Sequence, residues 1–165
     1  MTTPTPSTAP SLHPAVAVAR SYLGTPFHHQ ARVRGVGVDC VGLVICVARE
    51  LGHLPPAWDV TGYARQPDGS QLMHHLADRL VPVPQADMRP GDVVCVAFAR
   101  HPQHVGVVGD YVHGGLSLIH ADGQRGRVLE TRLLFGAAMR FVQAFRWPGE
   151  GAAPVGLGGG VGGVA

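Results

Sequence analysis

Residues 39–52 read DCVGLVICVARELG. Val41, Val44, Ile45 and Ala48 recur at helical spacing and Gly52 supplies a stop, so the run predicts a helix from Cys40 to Leu51. Asp39 stands just before it, where a carboxylate can take up first-turn amides that have no partner inside the helix. Upstream, Pro14 to Leu23 predicts another helix, with proline tolerated in its first turn and Gly24 ending it. Residues 69–80, GSQLMHHLADRL, predict a third. Thr25 to Val38, rich in His, Arg and Gly, reads as irregular.

After Pro82 the pattern changes to short β-branched runs: DVVCVAF at 92–98, HVGVVGDYV at 104–112, LSLIH at 116–120, RVLET at 127–131 and MRFVQAFRW at 139–147. Turns rich in Gly, Asp and Pro separate them, which predicts an antiparallel meander of about five strands. Helices first and strands after imply an α+β fold, with the helices packed on one face of the sheet.

A chain of 165 residues fits one domain with a real hydrophobic core. Residues 1–12, rich in Thr, Pro and Ser, are expected to be disordered, and the glycine-rich stretch 148–165 to be a flexible tail, leaving 13–147 as the folded domain. The apolar runs are far shorter than a bilayer requires, so no membrane insertion is expected. The formal charge is +2 and all 13 basic residues are arginine. They are scattered rather than clustered with aromatics, which argues against a nucleic-acid partner. The N-terminus MTTPTPSTAPSLHP has no basic region followed by an apolar stretch, so synthesis in the cytoplasm without a signal peptide is expected.

Three cysteines, Cys40, Cys46 and Cys95, form no metal or redox pair by spacing. Cys46 falls mid-helix and Cys95 inside an apolar strand, so both read as small buried apolar residues. Cys40 differs because it opens a helix, where unpaired amides favour the thiolate; with a paired histidine such thiols fall from about 8.5 to roughly 4 to 7. Its own amide is placed to donate to an oxyanion. His104 enters a strand beside Gly106, as a base for the thiol. If 104–112 and 116–120 form a hairpin, His120 returns beside His104 and can fix its tautomer. A rival reading takes Cys40, His104 and His120 as zinc ligands; without close ligand pairs, no metal or cofactor is the simpler expectation. Of the remaining histidines, His28, His29 and His101 border any cleft at this place and are candidates for substrate contact.

Four blocks in this order, GTPFHHQARVRGVGVDCVGLV at 24–44, RPGDVV at 89–94, HVGVVGD at 104–110 and LIHADGQRGRVLE at 118–130, resemble the NlpC-type cysteine peptidases. The resemblance covers most of residues 14–147. It implies a papain-like α+β core, with Cys40 as nucleophile, His104 as base and His120 completing the triad. It also implies hydrolysis of peptidoglycan stem peptides, commonly between D-glutamate and a diamino acid. Phe27, His28, Asp39 and His101 are the expected substrate contacts. Phe27 stands where the family often has tyrosine, and Val41 replaces the commoner serine. The HHQ and GVGVDCVGLV wording is similar to the branch found in phage tails and gene transfer agents. That branch implies tail proteins as partners, action on the cell wall from a virion or tail, and, as an alternative function, a structural tail-tip subunit that keeps the peptidase fold.

Overall fold

The computed structural model describes residues 12–65, 70–98 and 101–151. Residues 1–11 and 152–165, most of the two expected flanking segments, lie outside the described residues.

Helix α1, Pro14–Ser21, begins where His13 Nδ1 accepts the Ala15 amide at 3.1 Å and buries Ala15, Val16 and Ala19. Two short strands, β1 (Arg32–Val33) and β2 (Gly37–Val38), then pair antiparallel around Gly35, whose φ of +76° suits a residue without a Cβ. This hairpin replaces the irregular segment expected there; two residues per strand are too few to show an alternation. Helix α2, Cys40–Glu50, follows and is buried from Gly42 to Ala48, so it runs through the core rather than over it. Helix α3, Ser70–Arg79, together with the residue after it, turns Leu72, Leu76 and Leu80 inward at four-residue intervals. No helix among the described residues is long and apolar enough to cross a membrane.

Six strands make the main sheet: β3 (Val81–Val83), β4 (Val93–Phe98), β5 (His101–Asp110), β6 (Leu116–Asp122), β7 (Arg127–Arg132) and β8 (Met139–Arg146). Their spatial order is β3-β8-β4-β5-β6-β7, with every pair antiparallel. The α+β class is as expected, and the sheet departs from the expected meander in two respects. An extra strand, β3, lies at one edge, the place in a sheet that tolerates Pro82. The last strand, β8, crosses back to lie between β3 and β4, pairing Val93 with Phe145 and Val94 with Ala144.

Alternation divides the sheet cleanly. Val93, Cys95, Val105, Val107, Ile119 and Phe145 join the helices in one core cluster. Their neighbours Val94, Val96, Val108, Leu118 and Ala144 form a second cluster on the opposite face. Burial on both faces explains why β4 reads as a continuous apolar run. The arrangement brings the start of α2 to the start of β5, and the candidate site lies at that junction.

Candidate active site

Asp39 is the cap the sequence predicts. Its Oδ1 accepts the Gly42 amide at 2.7 Å, satisfying a first-turn donor of α2. The same carboxylate takes the Gln30 amide at 2.7 Å and the Tyr63 hydroxyl at 2.7 Å on Oδ2, and Arg32 Nη1 at 3.3 Å on Oδ1. Asp39 is only 2% exposed, so the expected substrate contact is corrected: both oxygens are spent inside the protein, with none turned to a ligand.

Cys40 opens α2 and is partly buried. Burial pushes its thiol up to about 11, helped by the Asp39 charge and opposed by the backbone amides of Val105, Val41 and Cys40. The sequence argument foresees the helix amides and a lowered thiol. In the structure those amides are present, and desolvation with the adjacent carboxylate outweighs them. Val105 places the thiol beside β5, one residue from His104.

His104 and His120 meet as the hairpin predicts. Val107 pairs with Ile119 and Val108 with Leu118, so alternation sets 104, 106 and 108 on the same face as 118 and 120. His104 Nε2 and His120 Nδ1 are 2.7 Å apart, with the rings edge to face at 4.9 Å. Gly106 makes this possible, because a Cβ there would stand 2.7 Å from the Ile119 carbonyl oxygen and 3.1 Å from His120 Cβ. Burial pushes His104 down to about 3, with His120 adding to the shift and Asp122 opposing it. His120 is lowered too, by burial against the pull of Asp122. By the same alternation the pair lies on the face of Val96, Val108 and Leu118, opposite the core that α2 joins. Among the described residues no hydrogen bond joins Cys40 to the His104 ring.

Of the other expected contacts, Phe27 packs partly against the core, bridged to Val38, and its ring faces Gly123. His28 is exposed, with its ring lying over Gly37. The His101 side chain lies outside the described residues. His29 stands with Nδ1 3.5 Å from Asp39 Oδ2 and its ring edge-on to Tyr63. Among the described residues no group of three His, Cys, Asp or Glu side chains is disposed to hold a metal ion. Sequence reasoning missed Tyr63 and Arg32; Tyr63 comes from an irregular segment 24 positions beyond Asp39, and no local spacing announces it.

Residues 24–140, which include all three candidate catalytic positions, match the NlpC/P60 family. The chain belongs to the NlpC/P60 family. Among solved structures, this family member is similar to the NlpC/p60 domain of the peptidoglycan hydrolase SagA at 22% identity, TM-score 0.51, over 80% of this chain and 95% of that one. It is also similar to an N-acetylmuramoyl-L-alanine amidase from Bacteroides uniformis at 12% identity, TM-score 0.51, over 81% of this chain and 97% of that one. At these identities the likeness speaks for the shared NlpC/P60 fold. No curated protein matches the chain by sequence.

Proposed function

We propose that this chain is a cysteine peptidase that hydrolyses amide bonds in peptidoglycan stem peptides, with Cys40 as nucleophile, His104 as base and His120 as the residue that orients the base. The observation that carries the reading is the 2.7 Å contact between the two imidazoles inside the family-matched segment, with the Cys40 thiol on the amide of Val105, the residue after His104. The relatives named above as a peptidoglycan hydrolase and a muramoyl-alanine amidase support the same substrate class.

In this mechanism the resting pair is a neutral thiol and a neutral imidazole, because burial disfavours both charged forms. Proton transfer to His104 accompanies attack on the carbonyl carbon. The first-turn amide of Cys40 donates to the developing oxyanion. His104 returns the proton to the leaving amine, and water then cleaves the acyl enzyme by the same shuttle. His120 fixes which nitrogen of His104 carries its proton.

The finer reading is cleavage between D-glutamate and a diamino acid by an enzyme carried on a phage tail or gene transfer agent. Its support is the wording of residues 24–44. Purified protein is expected to release muropeptides with that cut, read by mass spectrometry. Cys40→Ala is expected to lower the release at least about a thousandfold with an unchanged melting curve. Equal release by the variant ends the peptidase reading. A tail-assembly defect that Cys40→Ala still rescues would instead favour a structural tail-tip role.

A further inference from the structure

Resting on the assignment of Cys40 as nucleophile, we propose that Tyr63 and Arg32 are positioning residues that set the reactivity of Cys40 through Asp39. They draw the carboxylate's charge away from the sulfur while leaving its cap bond to α2 in place.

A carboxylate beside a nucleophilic thiol is an awkward choice of cap. Serine, threonine or asparagine would satisfy the Gly42 amide without placing a negative charge next to a sulfur that must become negative. The surroundings of Asp39 answer this conflict. Arg32 Nη1 reaches Oδ1 at 3.3 Å, and the Tyr63 hydroxyl donates to Oδ2 at 2.7 Å. Arg32 Nη2 also donates to the Tyr63 oxygen at 2.9 Å, which strengthens that hydroxyl as a donor. The three groups form a closed triangle, and its effect on the sulfur passes through the carboxylate.

The triangle is built from outside the nucleophile helix. The segment after α2 returns over β1: Arg32 Nε bonds Asp59 Oδ1 at 3.0 Å, Arg32 Nη2 bonds the Val60 carbonyl at 2.9 Å, and Gln30 Nε2 bonds the Tyr63 carbonyl at 2.9 Å. Arg49 of α2 ties the same segment down through the Trp58 carbonyl at 3.1 Å. Tyr63 is therefore held from both sides, which a donor needs if it is to tune a charge rather than drift from it. The charged and titratable groups around the carboxylate are His29, Arg32 and Tyr63, with Asp59 behind Arg32. Around the sulfur they are Asp39 itself and Cys95 from β4. Arg32 is the fixed positive charge among them.

Iodoacetamide alkylation of Cys40 across a pH series, read by peptide mass spectrometry on the full chain, tests this without any substrate. Tyr63→Phe keeps the ring against His29 and removes only the hydroxyl. Its alkylation rate at neutral pH is expected to fall about 3- to 10-fold, with the curve displaced to higher pH by about 0.5 to 1 unit and the melting temperature nearly unchanged. Arg32→Gln is expected to fall further, about 10-fold or more, and Arg32→Lys to recover most of the loss. Superimposable curves for wild type and Tyr63→Phe overturn the proposal, as does a lowered melting temperature with the curve in place. Should Arg32→Gln fail to fold, Tyr63→Phe decides alone. Failure of wild type to cut muropeptides would sink the peptidase reading and leave the alkylation result standing, so the two failures are distinct.

Discussion

The two sides of the candidate site are held in opposite ways. On the helix side, four donors converge on the Asp39 carboxylate. On the sheet side, His120 is 6% exposed and, among the described residues, bonds through Nδ1 to His104 while its buried Nε2 has no partner. The first arrangement leaves the carboxylate no freedom. The second rests on a single contact between the rings, which holds the tautomer of His104 with one partner instead of four. Removing the anchor should therefore damage the fold, and disturbing the histidines should damage the chemistry. Asp39→Ala is expected to lose about 3 kcal/mol in urea denaturation, since it strips a cap, leaves the Gln30 amide and Tyr63 hydroxyl without their acceptor and removes one of the two carboxylates that Arg32 bonds. Asp39→Asn, which can still cap, should lose less than half of that. If alanine costs no more than a surface change, the contrast between the two sides fails.

His120→Ala is the matching experiment on the sheet side. It removes the group that orients the base and leaves nucleophile and base in place. A fall of about 100-fold in kcat/KM toward a stem peptide, carried by kcat rather than KM, is expected. His120→Asn should recover part of it by offering an acceptor to His104. A loss confined to KM would mean that His120 contacts substrate instead.

Gly106→Ala attacks the same contact through the backbone. Its Cβ would press on the Ile119 carbonyl and on His120 Cβ, and a paired strand has little room to yield. A stability loss of about 2 kcal/mol is expected by denaturant titration. Activity should fall by more than that of a variant matched in stability elsewhere in the sheet, because the hairpin that aligns the rings is itself displaced.

The same contrast explains what could be read in advance. The histidine pair was legible because a hairpin brings nearby residues together: His104 and His120 are 16 positions apart and joined by adjacent strands. Helix α2 and its cap were legible because both signals are local. The neighbours of Asp39 were not, since Tyr63 approaches from a segment without periodicity. The hairpin of β1 and β2 is too short for alternation, and Pro82 disguises β3. The position of β8 beside β4 is a pairing between distant segments, which patterns within one run do not encode. The thiol was misjudged for a related reason. Amides at a helix start are visible in a sequence, whereas desolvation depends on how Val105 and the core close around the sulfur.

The last expected effect is on stability against pH, and it belongs to the sheet side. Burial lowers His104 to about 3 and lowers His120 as well, while an unfolded histidine titrates near 6.5. Between those values the unfolded chain binds protons that the folded chain refuses. Stability from these groups is thus complete above about pH 6.5 and is lost as pH falls toward 3, by at most about 1.4 kcal/mol per pH unit for each histidine. Denaturant titrations at pH 7 and pH 5 should show the loss in wild type. Tyr63→Phe, altered only on the helix side, should keep the slope. His104→Gln should flatten it, because a neutral amide in that position has no proton to refuse. A slope unchanged in His104→Gln would mean that the acid sensitivity arises elsewhere, and the division of labour between a fixed anchor and a proton-handling pair would lose its thermodynamic mark.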